Sequence, residues 1–287
     1  MSEEKGVFAA GIVLYNPQIE KLAKVISSVI NQVELLILVD NCSNNISDIL
    51  QIQQEFQRIE IIENSCNEGI AKGLNQIVRM CKQHGYKWVL TLDQDSVVDG
   101  NLIKTYEPYI YMDKIGQITC LIEDVNIGVM HGRGFVEEYR YVERCITSGS
   151  LVNVNACISV GLFDECMFID YVDFDMSFSL RENGYKILQI NYCGLFHEMG
   201  VSLVKNIGGK QIIITQHDSL NRYYYFARNL VYCIRKHSGK NSLSKSKYII
   251  KLVGRLGTII LFEKNRWNKV KQYIKGLYLG LKMKVKK

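Results

Sequence analysis

Apolar and polar positions alternate in blocks through the first hundred residues. Residues 7–14 (VFAAGIVL) form a short apolar run closed by the turn signal Tyr15-Asn16-Pro17. Ile19, Leu22, Ala23, Ile26 and Ile30 then recur at helical spacing. Residues 35–39 (LLILV) make a second strand-length run that ends at Asp40-Asn41. A helical stretch carrying Ile46, Ile49, Leu50 and Phe56 leads to a third strand at 59–62. A helix over roughly 69–84 then precedes a fourth strand at 88–92 (WVLTL). Apolar strands alternating with amphipathic helices predict βαβ units and a mainly parallel sheet buried on both faces. Neither a repeat nor a low-complexity linker interrupts the pattern.

The polar residues fall at matching places in this scheme. Asp40 follows the second strand, Asn64 the third and Asp93 the fourth. Open α/β sheets bind ligands at the carboxyl ends of their strands, so three strands deliver polar groups to one edge. The sequence has no GxGxxG after the first strand and no GxxxxGK[ST]. A dinucleotide fold and a P-loop ATPase therefore both lack their phosphate cradle. Asp93-Gln94-Asp95 offers another device. Two carboxylates one residue apart at a strand end suit a hard divalent cation, Mg²⁺ or Mn²⁺, that also contacts substrate phosphates.

Charge divides the chain. Residues 240–287 hold fourteen Lys/Arg against the single acid Glu263, a balance of +13, while the rest of the chain stands at −7. A basic tail on an acidic body, with no RNA-recognition motif, argues against nucleic acid as partner. The best apolar stretch of the tail, residues 252–262, is short and contains Arg255, which predicts no membrane span. Basic residues mixed with aliphatic and aromatic ones predict instead a helix lying on an anionic membrane surface. The nine cysteines form no CxxC pair. With no signal peptide at the start, they are expected to be reduced core thiols of a cytoplasmic protein, peripheral on the inner face of the cell membrane.

Eight ordered segments carry a family resemblance: VLYNP (13–17), LVDNCS (38–43), NEGIAKGLN (67–75), WVLTLDQDS (88–96), ITSGSLV (146–152), GLFDECMFIDYVD (161–173), HEMG (197–200) and RYYYFARN (222–229). On these the chain resembles the inverting family 2 glycosyltransferases of GT-A fold, in particular bacterial rhamnosyltransferases that use dTDP-L-rhamnose. The resemblance implies an α/β fold, a Rossmann-like mixed sheet flanked by helices over residues 1–215, with a helical basic segment at 216–287. It implies a nucleotide-sugar donor and a glycan or lipid-linked glycan acceptor. Tyr15 and Asn16 would border the nucleotide, Asp40 would bind base or ribose, and Asn67, Gly69 and Lys72 would line the donor cleft. Asp93 and Asp95 would meet pyrophosphate and metal, with Asp95 the more direct ligand and His197 a further candidate. Gly149 would approach the sugar, and Asp173 would be the catalytic base. By their own chemistry Arg222 and Arg228 suit phosphate, the alternative being that this aromatic-rich block packs core. The chain departs from the family at one place: Ser179 stands where an arginine usually follows the base by six residues, and Arg181 lies two residues beyond.

Inverting transfer needs a stabilised diphosphate leaving group, a base for the acceptor hydroxyl, and the positioning of both. Asp164, Asp170, Asp173 and Asp175 crowd one window. A helix starting near Tyr171 would make Asp170 an N-cap, or an alternative base, and would put Asp173 and Asp175 in the first turns, where the helix dipole keeps carboxylates ionised. The alternatives are the same fold with UDP-galactose, UDP-glucose or UDP-GlcNAc, and a relative that binds glycan or nucleotide without turnover.

Overall fold

The computed structural model describes residues 7–124, 128–131, 135–197, 202–207, 210–215, 219–238 and 244–286. Its first half alternates as the periodicity predicts: β1 (Phe8–Leu14), α1 (Ile19–Val29), β2 (Leu35–Asp40), α2 (Ile46–Glu55), β3 (Ile59–Glu63), α3 (Ile70–His84) and β4 (Trp88–Leu92). β5 (Val97–Val98), α4 (Leu102–Tyr106), β6 (Ile115–Asp124), β7 (Gly128–His131), β8 (Tyr139–Tyr141) and β9 (Ser150–Asn153) follow. Then come α5 (Val154–Ser159), α6 (Val172–Glu182), β10 (Lys186–His197), β11 (Ser202–Ile207), β12 (Lys210–Thr215), α7 (Leu220–His237), α8 (Lys245–Phe262) and α9 (Arg266–Lys282).

These elements form two compact units. One holds residues 1–166 and 172–198; the other holds 167–171 and 199–287. β11 and β12 pair with each other, outside the large sheet.

The first unit is built on a sheet ordered β3-β2-β1-β4-β9-β6-β10-β5. β3, β2, β1 and β4 are parallel neighbours. β9 runs antiparallel to both β4 and β6, which makes β6 parallel to β4, and β10 is parallel to β6. Six strands thus end on one edge, at Glu63, Asp40, Leu14, Leu92, Asp124 and His197. β1 and β2 are buried along almost their whole length, as a strand covered on both faces requires. The order reverses between β1 and β4, which is where a ligand crevice opens in such sheets. α3 lies directly on β1. A Cβ on Gly73 would stand 2.7 Å from Val13, and one on Gly11 would stand 2.3 Å from Ile77. Two glycines thus let the helix approach that strand.

The second unit packs α7, α8 and α9 around Tyr223, Ala227, Ile259 and Tyr273. α9 crosses α7 almost backbone to backbone, since a Cβ on Gly276 would sit 2.3 Å from the Tyr224 carbonyl oxygen. Glu263, buried between α8 and α9, takes Arg255 at 3.0 Å and Lys269 at 2.8 Å, and accepts a hydrogen bond from the Tyr223 hydroxyl. A buried carboxylate persists only with partners of this kind, so the single acid of the tail is spent on holding its helices together.

Candidate active site

The loops after β1, β2, β3 and β4 are laced to one another at the switch point. Tyr15, half-exposed, donates its backbone N–H to Gln94 Oε1 at 2.9 Å. Asn16 adopts φ 47, donates its N–H to Ser43 Oγ at 2.8 Å, and accepts from Asn44 N at 2.8 Å. Asp40 is 2% exposed, and its Oδ2 accepts from Ser43 N at 2.9 Å. Its Oδ1 is buried with no hydrogen-bond partner among the described residues. Buried acceptors are nearly always satisfied, so an orphaned carboxylate oxygen at a strand end marks a place for an external donor such as a base N–H or a ribose hydroxyl.

Asn41 ties the next loop in place: its Nδ2 donates to the Gly69 carbonyl at 3.3 Å, and its Oδ1 accepts from Asn64 Nδ2 at 2.9 Å. Asn67 Oδ1 in turn accepts from Gly69 N at 3.0 Å. Gly69 has φ 83, a left-handed value that a glycine adopts without strain, and α3 starts at the next residue. The first turn of α3 carries no acid, and Lys72 within it pairs with Glu68 at 2.7 Å. A helix N-terminus of this kind favours anions.

The Asp93-Gln94-Asp95 segment leaves β4 beside the loop before β9. Asp93 N donates to Ser148 Oγ at 3.1 Å, and Gly149 N donates to the Thr91 carbonyl at 2.9 Å. Gly149 has φ 72, and a Cβ there would press on Leu195 at 3.2 Å, so only glycine fits without displacement. Asp95 is exposed and Asp93 half-buried. No group of three or more His, Cys, Asp or Glu gathers into a metal cluster among the described residues. Two hard oxygen donors fit a cation that takes its remaining ligands from diphosphate and water. His197 ends β10 on the same sheet edge, paired in register with Asp124, and its side chain lies outside the described structure.

α6 opens with Val172, so Asp173 and Asp175 occupy its first turn as expected. Asp173 is half-buried, and its Oδ1 accepts from Phe174 N at 2.8 Å. Arg144 lies over the Phe174 ring, 4.5 Å from its centre. Arg181 reaches the Glu143 carbonyl at 3.5 Å.

Asp170 is not the N-cap that the sequence suggested. α6 starts at Val172, which leaves Asp170 one residue short of the cap position, and Asp170 and Tyr171 are consecutive left-handed residues, φ 68 and 67. The segment 167–171 folds with the second unit. There Arg222 pairs with Asp170 Oδ1 at 2.8 Å, and Asn229 Nδ2 donates to the carbonyls of Ile169 and Asp170 at 2.8 and 2.9 Å. Arg228 donates to Asn229 Oδ1 at 2.8 Å and lies over the rings of Tyr224 and Tyr225. Burial pushes the Asp170 carboxyl up to about 6, against the opposing pull of Arg222, Arg255 and Lys251. The RYYYFARN block thus acts as a clamp on a strained loop, and Asp173 follows two residues after that loop in the chain.

Sequence reading missed Gln94, Ser43, Ser148 and Asn229. The only available signal was their position inside the matched segments, since each acts through a backbone group far away in the chain.

Comparison with known proteins places the chain among similar sequences and folds. The sequence model of glycosyl transferase family 2 matches residues 10–124, which run from β1 to β6 and include every strand end on that edge except His197. The chain is 28% identical to the dTDP-rhamnosyl transferase RfbF of Shigella flexneri over 288 residues, covering 95% of each chain. Among solved structures, S. aureus TarS residues 1–349 in complex with UDP-GlcNAc superimposes with a TM-score of 0.62 at 16% identity, over 96% of this chain and 81% of that one. GalNAc-T7 with UDP, GalNAc and Mn²⁺ gives a TM-score of 0.62 at 13% identity over 98% of this chain, which spans 57% of the GalNAc-T7 chain. At such identities the two structures speak for the fold. The family match over residues 10–124, the similarity along the chain to a glycosyltransferase and the shared GT-A architecture lead to one conclusion: this chain is a glycosyltransferase.

Proposed function

We propose that the protein transfers L-rhamnose, with inversion, from dTDP-L-rhamnose to a hydroxyl of a cell-surface polysaccharide or lipid-linked oligosaccharide. The observation that carries the donor is the full-length similarity to a dTDP-rhamnosyl transferase, at 95% coverage of both chains. The unfilled Oδ1 of Asp40 supports a nucleotide whose base or ribose donates a hydrogen bond there, with Tyr15 and Asn16 beside it. Asn67, Gly69 and Lys72 at the start of α3 are suited to the diphosphate. Arg222 and Arg228 are inferred to hold the 167–171 loop rather than to bind phosphate, since each is already engaged.

Asp93 and Asp95, with His197 as a third candidate, would hold a divalent cation. When bound, it neutralises the charge that develops on the departing diphosphate. Asp173 receives the proton of the acceptor hydroxyl as that oxygen bonds to the anomeric carbon and the bond to the diphosphate breaks. Asp173 stands in the first turn of α6, where the helix dipole favours a carboxylate. Its basicity is modest, an ordinary aspartate titrating near pKa ~3.9, so position contributes more than proton affinity.

Thermal stabilisation by nucleotides tests the donor class. The melting temperature is expected to rise with dTDP more than with UDP or GDP, and more with Mn²⁺ or Mg²⁺ than without. A larger rise with UDP would assign the site to a UDP-sugar instead, the donor class seen in the TarS structure.

A further inference from the structure

α8 is apolar on two sides. Its inner side packs Leu252, Leu256 and Ile259 into the core of the second unit. On the other side Ile249, Ile250, Val253, Ile260 and Leu261 are all exposed, Ile250 and Leu261 to 70%. At 100° per residue these five fall, with Gly254 and Gly257, inside an arc of about 140° that contains no charged side chain. The space beside both glycines is open, with nothing within 4 Å of an added Cβ. α9 exposes Trp267 and Tyr278, eleven residues or three turns apart and so on one face. A surface helix normally turns one apolar stripe inward and a polar face outward, so a second stripe requires a second apolar contact.

The charges around these faces identify that contact. Residues 244–286 carry twelve Lys/Arg; Arg255 and Lys269 are bound to Glu263, and the other ten are exposed. Glu263, the only acid in the segment, is buried. A second copy laid on the same face would set like-charged patches against one another, because a twofold contact uses the same patch twice. An anionic lipid surface answers both features, taking the apolar arc among its acyl chains and the lysines at its headgroups. No helix among the described residues is long and apolar enough to cross a membrane, which fits a helix lying in the surface.

We propose that the outer faces of α8 and α9 form a docking surface for anionic lipid bilayers, with Ile249, Ile250, Val253, Ile260 and Leu261 as the inserted residues. This goes beyond the transferase reading and does not depend on it. Co-sedimentation of the protein with vesicles of phosphatidylcholine alone, or mixed with phosphatidylglycerol, tests it. The wild type should bind the anionic vesicles far more tightly, and should weaken as salt is added. Each surface lysine contributes roughly fivefold, about 1 kcal/mol, so a Lys247→Gln, Lys264→Gln, Lys271→Gln variant should bind about 10²-fold more weakly. An Ile250→Glu, Val253→Glu, Leu261→Glu variant should lose binding. Both variants should keep their nucleotide-induced stabilisation, which reads folding and the donor site separately. Equal binding to neutral and anionic vesicles, or wild-type binding by either variant, would overturn the proposal. So would a lipid-free dimer that the glutamate variant converts to monomer, since a second copy would then own the face.

Discussion

Asp173→Asn is expected to lower sugar transfer by at least ~10²-fold, the lower end for removal of a general base. Donor binding should survive. The side chain is half-buried in the first turn of α6 and touches its own helix through Phe174 N, a contact that an asparagine oxygen keeps. What the amide cannot do is accept the acceptor proton. Initial rates of transfer, paired with dTDP-induced stabilisation of the same variant, separate the two effects. Turnover close to wild type with binding intact would move the base elsewhere, with Asp170, whose carboxyl burial pushes up to about 6, as the next acid to replace.

Asp95→Ala should abolish the metal dependence of nucleotide binding while the protein stays folded. Asp95 is exposed on the loop after β4, so its truncation leaves no cavity in the core. With Asp93 alone a divalent cation keeps one protein carboxylate, too few to hold it firmly before the diphosphate arrives. Titration of dTDP with and without Mn²⁺ gives the readout. The variant is expected to bind dTDP with one weak affinity in both conditions. Persistence of a metal-strengthened phase would place the cation elsewhere, with His197 as the next ligand to remove.

The architecture of the first hundred residues was open to sequence reading because each parallel strand is buried on both faces and must be apolar throughout. Asp40 and Asp93 were legible for the complementary reason: a polar residue directly after such a strand stands at the sheet edge. Partnerships across long sequence separations were not. Gln94 reads as the spacer of a carboxylate pair, yet its amide fixes Tyr15, seventy-nine residues away. The orphaned Oδ1 of Asp40 depends on where Ser43 and its neighbours place their donors. Asp170 resembled a helix cap by residue type and spacing, but two consecutive left-handed residues and the reach of Arg222 and Asn229 decided its position. β6 and β10, parallel partners far apart in sequence, show no short-range pattern that announces their pairing.

The central claim, a transferase that draws its sugar from a dTDP donor at the β1–β4 edge, is tested most directly by nucleotide release from a panel of donors. The purified protein, an acceptor-bearing membrane extract and Mg²⁺ or Mn²⁺ should release dTDP from dTDP-L-rhamnose, with little UDP from UDP-glucose, UDP-galactose or UDP-GlcNAc. Brisk release of UDP with dTDP-L-rhamnose left intact would contradict the account.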